Sequence, residues 1–236
     1  MKFGRNITTD GLIFCIDYAN KRSYIGSGTE ANNLVGIHTA TLYNTVSPFD
    51  SANGGFMTFD GSNDYGKTTF DTFANPPFTI EVWFKSGTGS LKDGIFSNRL
   101  GSSNSFRQVS LFIAGDSNIS TSGTKFGCYH KGSSGTRTNC IGTSNVCDGN
   151  WHQGVVVSTT GNSYNYIYVD GVLEDESDAA TINMTENPVY TIGGLGDSTI
   201  YTFPFNGSIS NIKYYNKVLS ATEISQNYNA LKHRFI

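Results

Sequence analysis

The chain has 236 residues, of which 15% are charged and 13% aromatic, with 27 glycines, only 5 prolines and a formal net charge of −3. Soluble helices need charged outer faces, so this composition excludes a mostly helical fold, and the few prolines exclude a collagen-like or proline-rich chain. No run of Lys or Arg could release counterions from a nucleic acid, and no stretch approaches the ~18 apolar residues of a membrane span.

The first apolar run, Leu12–Tyr18, is too short for the core of a secretion signal and is flanked by Asp10 and Asp17, so it reads as a strand. Cys15 within it reads as a packed thiol. Short apolar or alternating runs follow at Ala40–Tyr43, Phe56–Phe59, Phe78–Lys85, Gly94–Ser97, Val109–Ala114, Lys125–His130, Trp151–Ser158, Tyr164–Asp170, Val189–Gly193 and Ser208–Tyr215. Turn signals rich in Gly, Asn and Asp separate them, among them Asn53-Gly54-Gly55, Asp60-Gly61 and Asp170-Gly171. Many short strands so punctuated predict an all-β sandwich or barrel. No linker divides the chain, so residues 1–236 read as one domain.

Two strands show their faces in the sequence. In Phe78–Lys85, the side chains Phe78, Ile80, Val82 and Phe84 form a core face, and Thr79, Glu81, Trp83 and Lys85 point the other way, toward a concave face or under a loop. In Tyr164–Asp170, Ile167 and Val169 share one face, and Tyr164, Tyr166 and Tyr168 form a ladder on the other. The acidic cluster Glu174, Asp175, Glu176 and Asp178 reads as a solvated loop. Cys128, Cys140 and Cys147 lie in a Gly/Ser/Thr-rich stretch, as free thiols or, in an oxidising compartment, with Cys140 and Cys147 bridged. Near the end, Ser220-Ala-Thr-Glu223 is a capping box. With Ile224, Tyr228 and Leu231 as an apolar stripe, it predicts a short C-terminal helix over 221–231 docked on the sandwich.

In order along the chain, these pieces resemble the concanavalin A-like lectin/glucanase superfamily in its laminin G-like branch. They are Asp10–Asn20 followed by Ser23–Gly28, the turn Phe59–Tyr65, the strand Phe78–Phe84, and Trp151-His152 with Tyr168-Val-Asp-Gly171. Phe205–Ile209 through Tyr215-Asn216 and Leu219–Ile224 complete the set. The resemblance implies an antiparallel jelly-roll of two sheets. The opening and closing segments resemble most the versions found in tailed-phage virion proteins. The fold hosts lectins, hydrolases and structural modules, so function must come from a site.

A glycosidase needs two carboxylates flanking the scissile bond. The glucanase branch places them as Glu-x-Asp-x-x-Glu, a pattern missing here, and Glu81 is a single acid on its strand. No Gly-x-Ser-x-Gly elbow exists, and His38, His130, His152 and His233 read as structural, so no enzymatic activity is expected. Calcium is often held by this superfamily at the sandwich edge. Asp60 and Asp64 offer alternating oxygens for it, and equally for an ordinary turn. Trp83, Tyr164 and Tyr166 are the candidate carbohydrate-binding rings, unless loops, a neighbouring subunit or cross-strand packing covers them. The resulting expectation is a virion surface structural or interaction protein, a capsid decoration or a tail or fibre component. It would assemble with copies of itself and other virion proteins, and its Gly132–Thr138 loop could order against a neighbour. The alternative is a secreted lectin module that binds cell-surface glycans.

Overall fold

Alternating runs become two antiparallel sheets whose apolar faces meet. The computed structural model describes residues 7–44, 47–71, 77–87, 93–100, 107–114, 123–131, 137–159, 164–178, 189–196 and 201–236. Its strands are β1 (Leu12–Asp17), β2 (Glu30–Asn32), β3 (Thr39–Tyr43), β4 (Ser47–Asp50), β5 (Phe56–Asp60), β6 (Tyr65–Thr68), β7 (Phe78–Lys85), β8 (Asp93–Leu100) and β9 (Arg107–Ala114). They continue with β10 (Lys125–Lys131), β11 (Arg137–Ile141), β12 (Trp151–Ser158), β13 (Tyr164–Val169), β14 (Val172–Asp178), β15 (Tyr190–Ile192), β16 (Leu195–Gly196), β17 (Tyr201–Thr202) and β18 (Asn206–Tyr215). One α-helix, α1 (Ala221–Leu231), follows them.

The first sheet runs β14-β13-β12-β7-β18-β5-β4, with β1 also paired to β18; the second runs β11-β10-β9-β8-β15-β6-β3-β2. Sheet-on-sheet packing of this kind buries one face of each. Phe78, Ile80, Val82 and Phe84 lie in that inter-sheet core with Phe14, Phe96, Phe126 and Tyr214, as the alternation predicts. Rings stack through it, Phe14 on Phe70 at 4.5 Å and Phe96 on Tyr190 at 4.6 Å. Gly154 is needed there: a β-carbon at this position would meet the Phe126 ring at 2.5 Å.

The opposite face of β7 is also buried. Helix α1 and the turn after it, Lys232–Arg234, close over it. The capping box forms: the Ser220 hydroxyl accepts the Glu223 N–H at 3.2 Å, and the Glu223 carboxylate accepts the Ser220 N–H at 2.8 Å. Ile224 and Leu231 are buried as the stripe predicts, but Asn227 is buried too and Tyr228 stays half-exposed. Asn227 joins a polar network under the helix. Its Nδ2 donates to Glu81 at 2.8 Å and to the Tyr215 hydroxyl at 3.1 Å, and its Oδ1 accepts the Thr8 N–H at 2.7 Å. The other Glu81 oxygen meets Lys213 Nζ at 2.7 Å, with both side chains almost wholly buried.

Two expectations change. The acidic cluster is not a loop: it forms β14, an edge strand joined to β13 by the two-residue turn Asp170-Gly171. Both turn residues have positive φ, 52° and 79°, as such a hairpin requires. Glu174 accepts the N–H groups of Thr143 and Ser144, and Asp175 accepts that of Ile141 at 2.9 Å. These acids tie the edge of one sheet to the edge of the other, so their charge serves backbone donors as well as solvent. Likewise Arg137 and Thr138 begin β11, while residues 132–136 lie outside the described residues. All four cysteines are free; Cys140 stands opposite Cys128 across β10 and β11.

Candidate functional site

Strand β13 carries the tyrosine ladder, and its neighbours grade the exposure of each ring. Asn165, Ile167 and Val169 turn inward and are buried. Of the outward residues, Tyr168 is 9% exposed, packed in a cluster with Val155, Leu219 and Ile224, while Tyr164 is 39% exposed. Tyr166 is half-buried between them. The cause is the reach of helix α1, which contributes Ile224 to the cluster around Tyr168. The Tyr164 and Tyr166 rings have centroids 6.4 Å apart and planes tilted by 36°, a two-ring surface. Tyr166 faces Glu176 across β13 and β14, and Glu176 is exposed. Thr159 fixes the start of the strand: its hydroxyl accepts the Tyr164 N–H at 3.1 Å and donates to the Tyr164 carbonyl at 3.2 Å. Aromatic faces beside a carboxylate suit a polyhydroxyl ring, which offers C–H groups to the faces and hydroxyls to the acid.

Trp83 does not belong to this surface. Alternation correctly turns it away from the inter-sheet core, but it is 0% exposed. Phe235 stacks on it at 4.3 Å and Tyr228 at 5.7 Å, both from the chain's last turn and helix. In this conformation it is no platform for a ligand arriving from solvent.

Asp60 and Asp64 come together as a turn. One Asp60 oxygen accepts the N–H groups of Ser62 at 2.8 Å, Asn63 at 3.2 Å and Asp64 at 3.4 Å. The Ser62 bond is the chief reason its pKa falls below the usual carboxylate value. Asp64 accepts the Asp60 N–H at 3.2 Å, and burial pushes its own pKa up. An oxygen that caps three backbone donors has little left for a cation. Among the described residues no cluster of three His, Cys, Asp or Glu side chains could hold a metal ion.

Other ionisable groups are committed as well. Glu81 is held by Lys213 and Asn227. His152 bridges two loops, with Nδ1 2.8 Å from Asp170 and Nε2 3.1 Å from Asp148. Burial alone would lower its pKa; the bonds to Asp170 and Asp148 outweigh that and raise it. His130 is buried in the core, which pushes its pKa down to about 3. No two carboxylates flank an open cleft among these groups.

A second aromatic pair escapes the sequence reading. Tyr43 and Tyr65 are Cα partners across β3 and β6, with rings stacked at 4.8 Å and planes 12° apart. Tyr43 is 39% exposed. Its only sequence signal is the outward alternation Thr39, Thr41, Tyr43; the pairing with Tyr65 is set by sheet register. These rings cover each other, so each loses one face to its partner.

Comparison with known proteins agrees with the fold. The family described as the concanavalin A-like lectin/glucanases superfamily matches residues 60–225. No curated protein matches the sequence. Among solved structures, domain 4 of AbnA, a GH43 extracellular arabinanase from Geobacillus stearothermophilus, solved with arabinotriose, is similar at a TM-score of 0.67 and 14% identity. The match covers 92% of this chain and 98% of that one. The CBM40 of the Ruminococcus gnavus IT-sialidase, bound to α2,3-sialyllactose, is similar at 0.53 and 19% identity, over 63% of this chain and 80% of that one. The receptor-binding domain of botulinum neurotoxin type G is similar at 0.65 and 13% identity over 93% of this chain. This chain spans about half, 51%, of that toxin chain.

Proposed function

Because the chain belongs to the concanavalin A-like lectin/glucanase superfamily, we propose that it is a non-catalytic carbohydrate-binding module. The observation that carries this reading is the Tyr164–Tyr166 surface beside Glu176. A pyranose or furanose ring lies on the tyrosine faces and gives a hydroxyl hydrogen to the Glu176 carboxylate. The sugar-bound structures of similar fold support the class of ligand. The non-catalytic part is supported by carboxylates tied to Lys213 or to backbone N–H groups. A glycan array followed by calorimetry tests the proposal. The expected result is millimolar or tighter binding, weakened at least about tenfold by Tyr164→Ala, with no polysaccharide cleavage. Binding that ignores Tyr164→Ala and Tyr166→Ala, or turnover of the bound glycan, overturns it.

The resemblance of the chain's ends to tailed-phage proteins favours a second, compatible reading, that the module is displayed on a virion with other particle proteins. Mass analysis of purified particles tests it: presence at a fixed copy number supports it, and absence rejects it.

A further inference from the structure

Both tryptophans of the chain, Trp83 and Trp151, lie in one cluster on the outer face of the first sheet. Trp83 has Gln153 of β12 and Asn211 of β18 as its Cα partners, so an amide side chain stands on each side of the indole. Trp83, Gln153 and Asn211 are wholly buried. Their polar atoms are nonetheless unspent: among the described residues, Trp83 Nε1, Trp151 Nε1, both amide atoms of Gln153 and Asn211 Nδ2 have no hydrogen-bond partner. The remaining Asn211 atom, Oδ1, is taken by Lys213 Nζ at 2.9 Å. Native proteins leave few buried polar groups unpaired, and a concentration of them on one patch requires an explanation.

Phe235 supplies the explanation. Its six-membered ring lies on Trp83 at 4.3 Å with planes 19° apart, and its centroid is 4.9 Å from Trp151. It fills the position of a stacked ring but cannot bond to the amides around it. A pyranose has similar size, stacks through its C–H groups, and carries hydroxyls at its rim. We propose that this patch is a subsite for a neutral pyranose, plugged by the chain's own Phe235. The indole N–H groups and Asn211 Nδ2 donate to sugar oxygens, and Gln153 both donates and accepts. The sugar is neutral because every unspent atom belongs to an uncharged side chain. Arg234 anchors the strap, with two bonds of 3.2 Å to Asp17 and one of 2.9 Å to Ser210. Phe235 follows that anchor, so the plug can lift without undoing α1.

This inference rests on the carbohydrate-binding reading but uses other residues, so the test is made in a Tyr164→Ala/Tyr166→Ala background. With Trp83 and Trp151 the only tryptophans, indole emission reports this patch alone. Methyl β-D-glucopyranoside and methyl β-D-galactopyranoside serve as probes. Adding Phe235→Ala is expected to create a saturable emission change, with an apparent Kd at least about tenfold below that of the same chain with Phe235 in place. Gln153→Leu added to that variant is expected to abolish the change. A chain ending at Arg234 provides a second unplugged form. A folded, unplugged chain with no saturable response up to about 100 mM sugar overturns the proposal, leaving ordered water alone on the unspent atoms. Unfolding of both unplugged forms, seen by far-ultraviolet circular dichroism, also overturns it, because Phe235 is then a core residue and no plug. Failure of the intact chain to bind glycans through Tyr164 and Tyr166 is a separate result and leaves this one standing.

Discussion

The two faces of β7 are buried by opposite means. Its inner face, Phe78, Ile80, Val82 and Phe84, meets apolar side chains of the other sheet. Its outer face meets a helix and turn that arrive some 140 residues later: Thr79 and Glu81 are joined by hydrogen bonds and an ion pair, and Trp83 is stacked under Phe235 and Tyr228. The inner face is held by shape and area, which tolerate conservative exchange. The outer face is held by partners, each of which is harmful to lose singly. The difference teaches that a stripe of mixed polar and aromatic residues does not mark a surface: it can be a docking site for a helix far along the chain.

The largest expected effect comes from breaking the outer face. Glu81→Ala leaves Lys213 buried and unpaired and should cost about 3–5 kcal/mol by urea denaturation, while Glu81→Met with Lys213→Met together should cost much less. Equal costs for the single and double variants would mean that the pair is hydrated and the outer face open. On the inner face, Ile80→Ala should cost about 2–5 kcal/mol through lost burial and a cavity. A cost below about 1 kcal/mol would place that residue outside a packed core. Ser220→Ala probes the helix that joins the two regions. It removes one half of the cap and should cost about 0.5–2 kcal/mol, with the helix still formed.

Much of the inner face was legible in the sequence and little of the outer. Strict alternation gave β7 its core residues, the capping box gave the helix its start, and Asp170-Gly171 gave the hairpin its turn, because each rests on neighbours within a few residues. The cover over Trp83 depends on Tyr228 and Phe235 at long sequence range, which no local pattern encodes. Strand β14 looks like a loop in the sequence because a run of acids reads as solvated; Glu174 and Asp175 instead accept backbone N–H groups on β11 and the following turn, invisible in side-chain composition. For the candidate site, the Tyr164–Tyr166 ladder was readable from period two, and its graded exposure was not, since the cover over Tyr168 is again tertiary.

His152, Asp93 and His130 make the stability depend on pH. His152, the Cα partner of Phe84, has its folded pKa raised above its ordinary value by Asp170 and Asp148 against the opposing effect of burial. Its contribution is therefore present below about pH 6.5 and lost as pH rises through the folded value. Burial pushes Asp93 up to about 7. The folded state holds that proton after the unfolded chain has released it, so stability falls between about pH 4 and 7. His130, pushed down to about 3 by burial, acts in the opposite sense: below about pH 6.5 the unfolded chain binds its proton and the folded state does not, so stability rises from about pH 3 to 6.5 and offsets the Asp93 fall. Urea midpoints should therefore decline only above about pH 6.5, and His152→Gln should flatten that decline. A midpoint that rises with pH above about 6.5 contradicts the His152 assignment. The smallest effect is expected for calcium: with one Asp60 oxygen occupied by its own turn, melting with calcium and with chelator should give the same midpoint, and a rise that follows free calcium would establish a site.

The central claim, that Tyr164 and Tyr166 form the surface that receives a glycan, is tested most directly by nuclear magnetic resonance of the intact chain titrated with an oligosaccharide selected on an array. The account predicts saturable shift changes confined to β13 and β14, centred on Tyr164, Tyr166 and Glu176, with the amides around Trp83 unmoved while Phe235 is in place. Changes centred on Tyr43 and Tyr65, or no change with a glycan that the array retains, would contradict it.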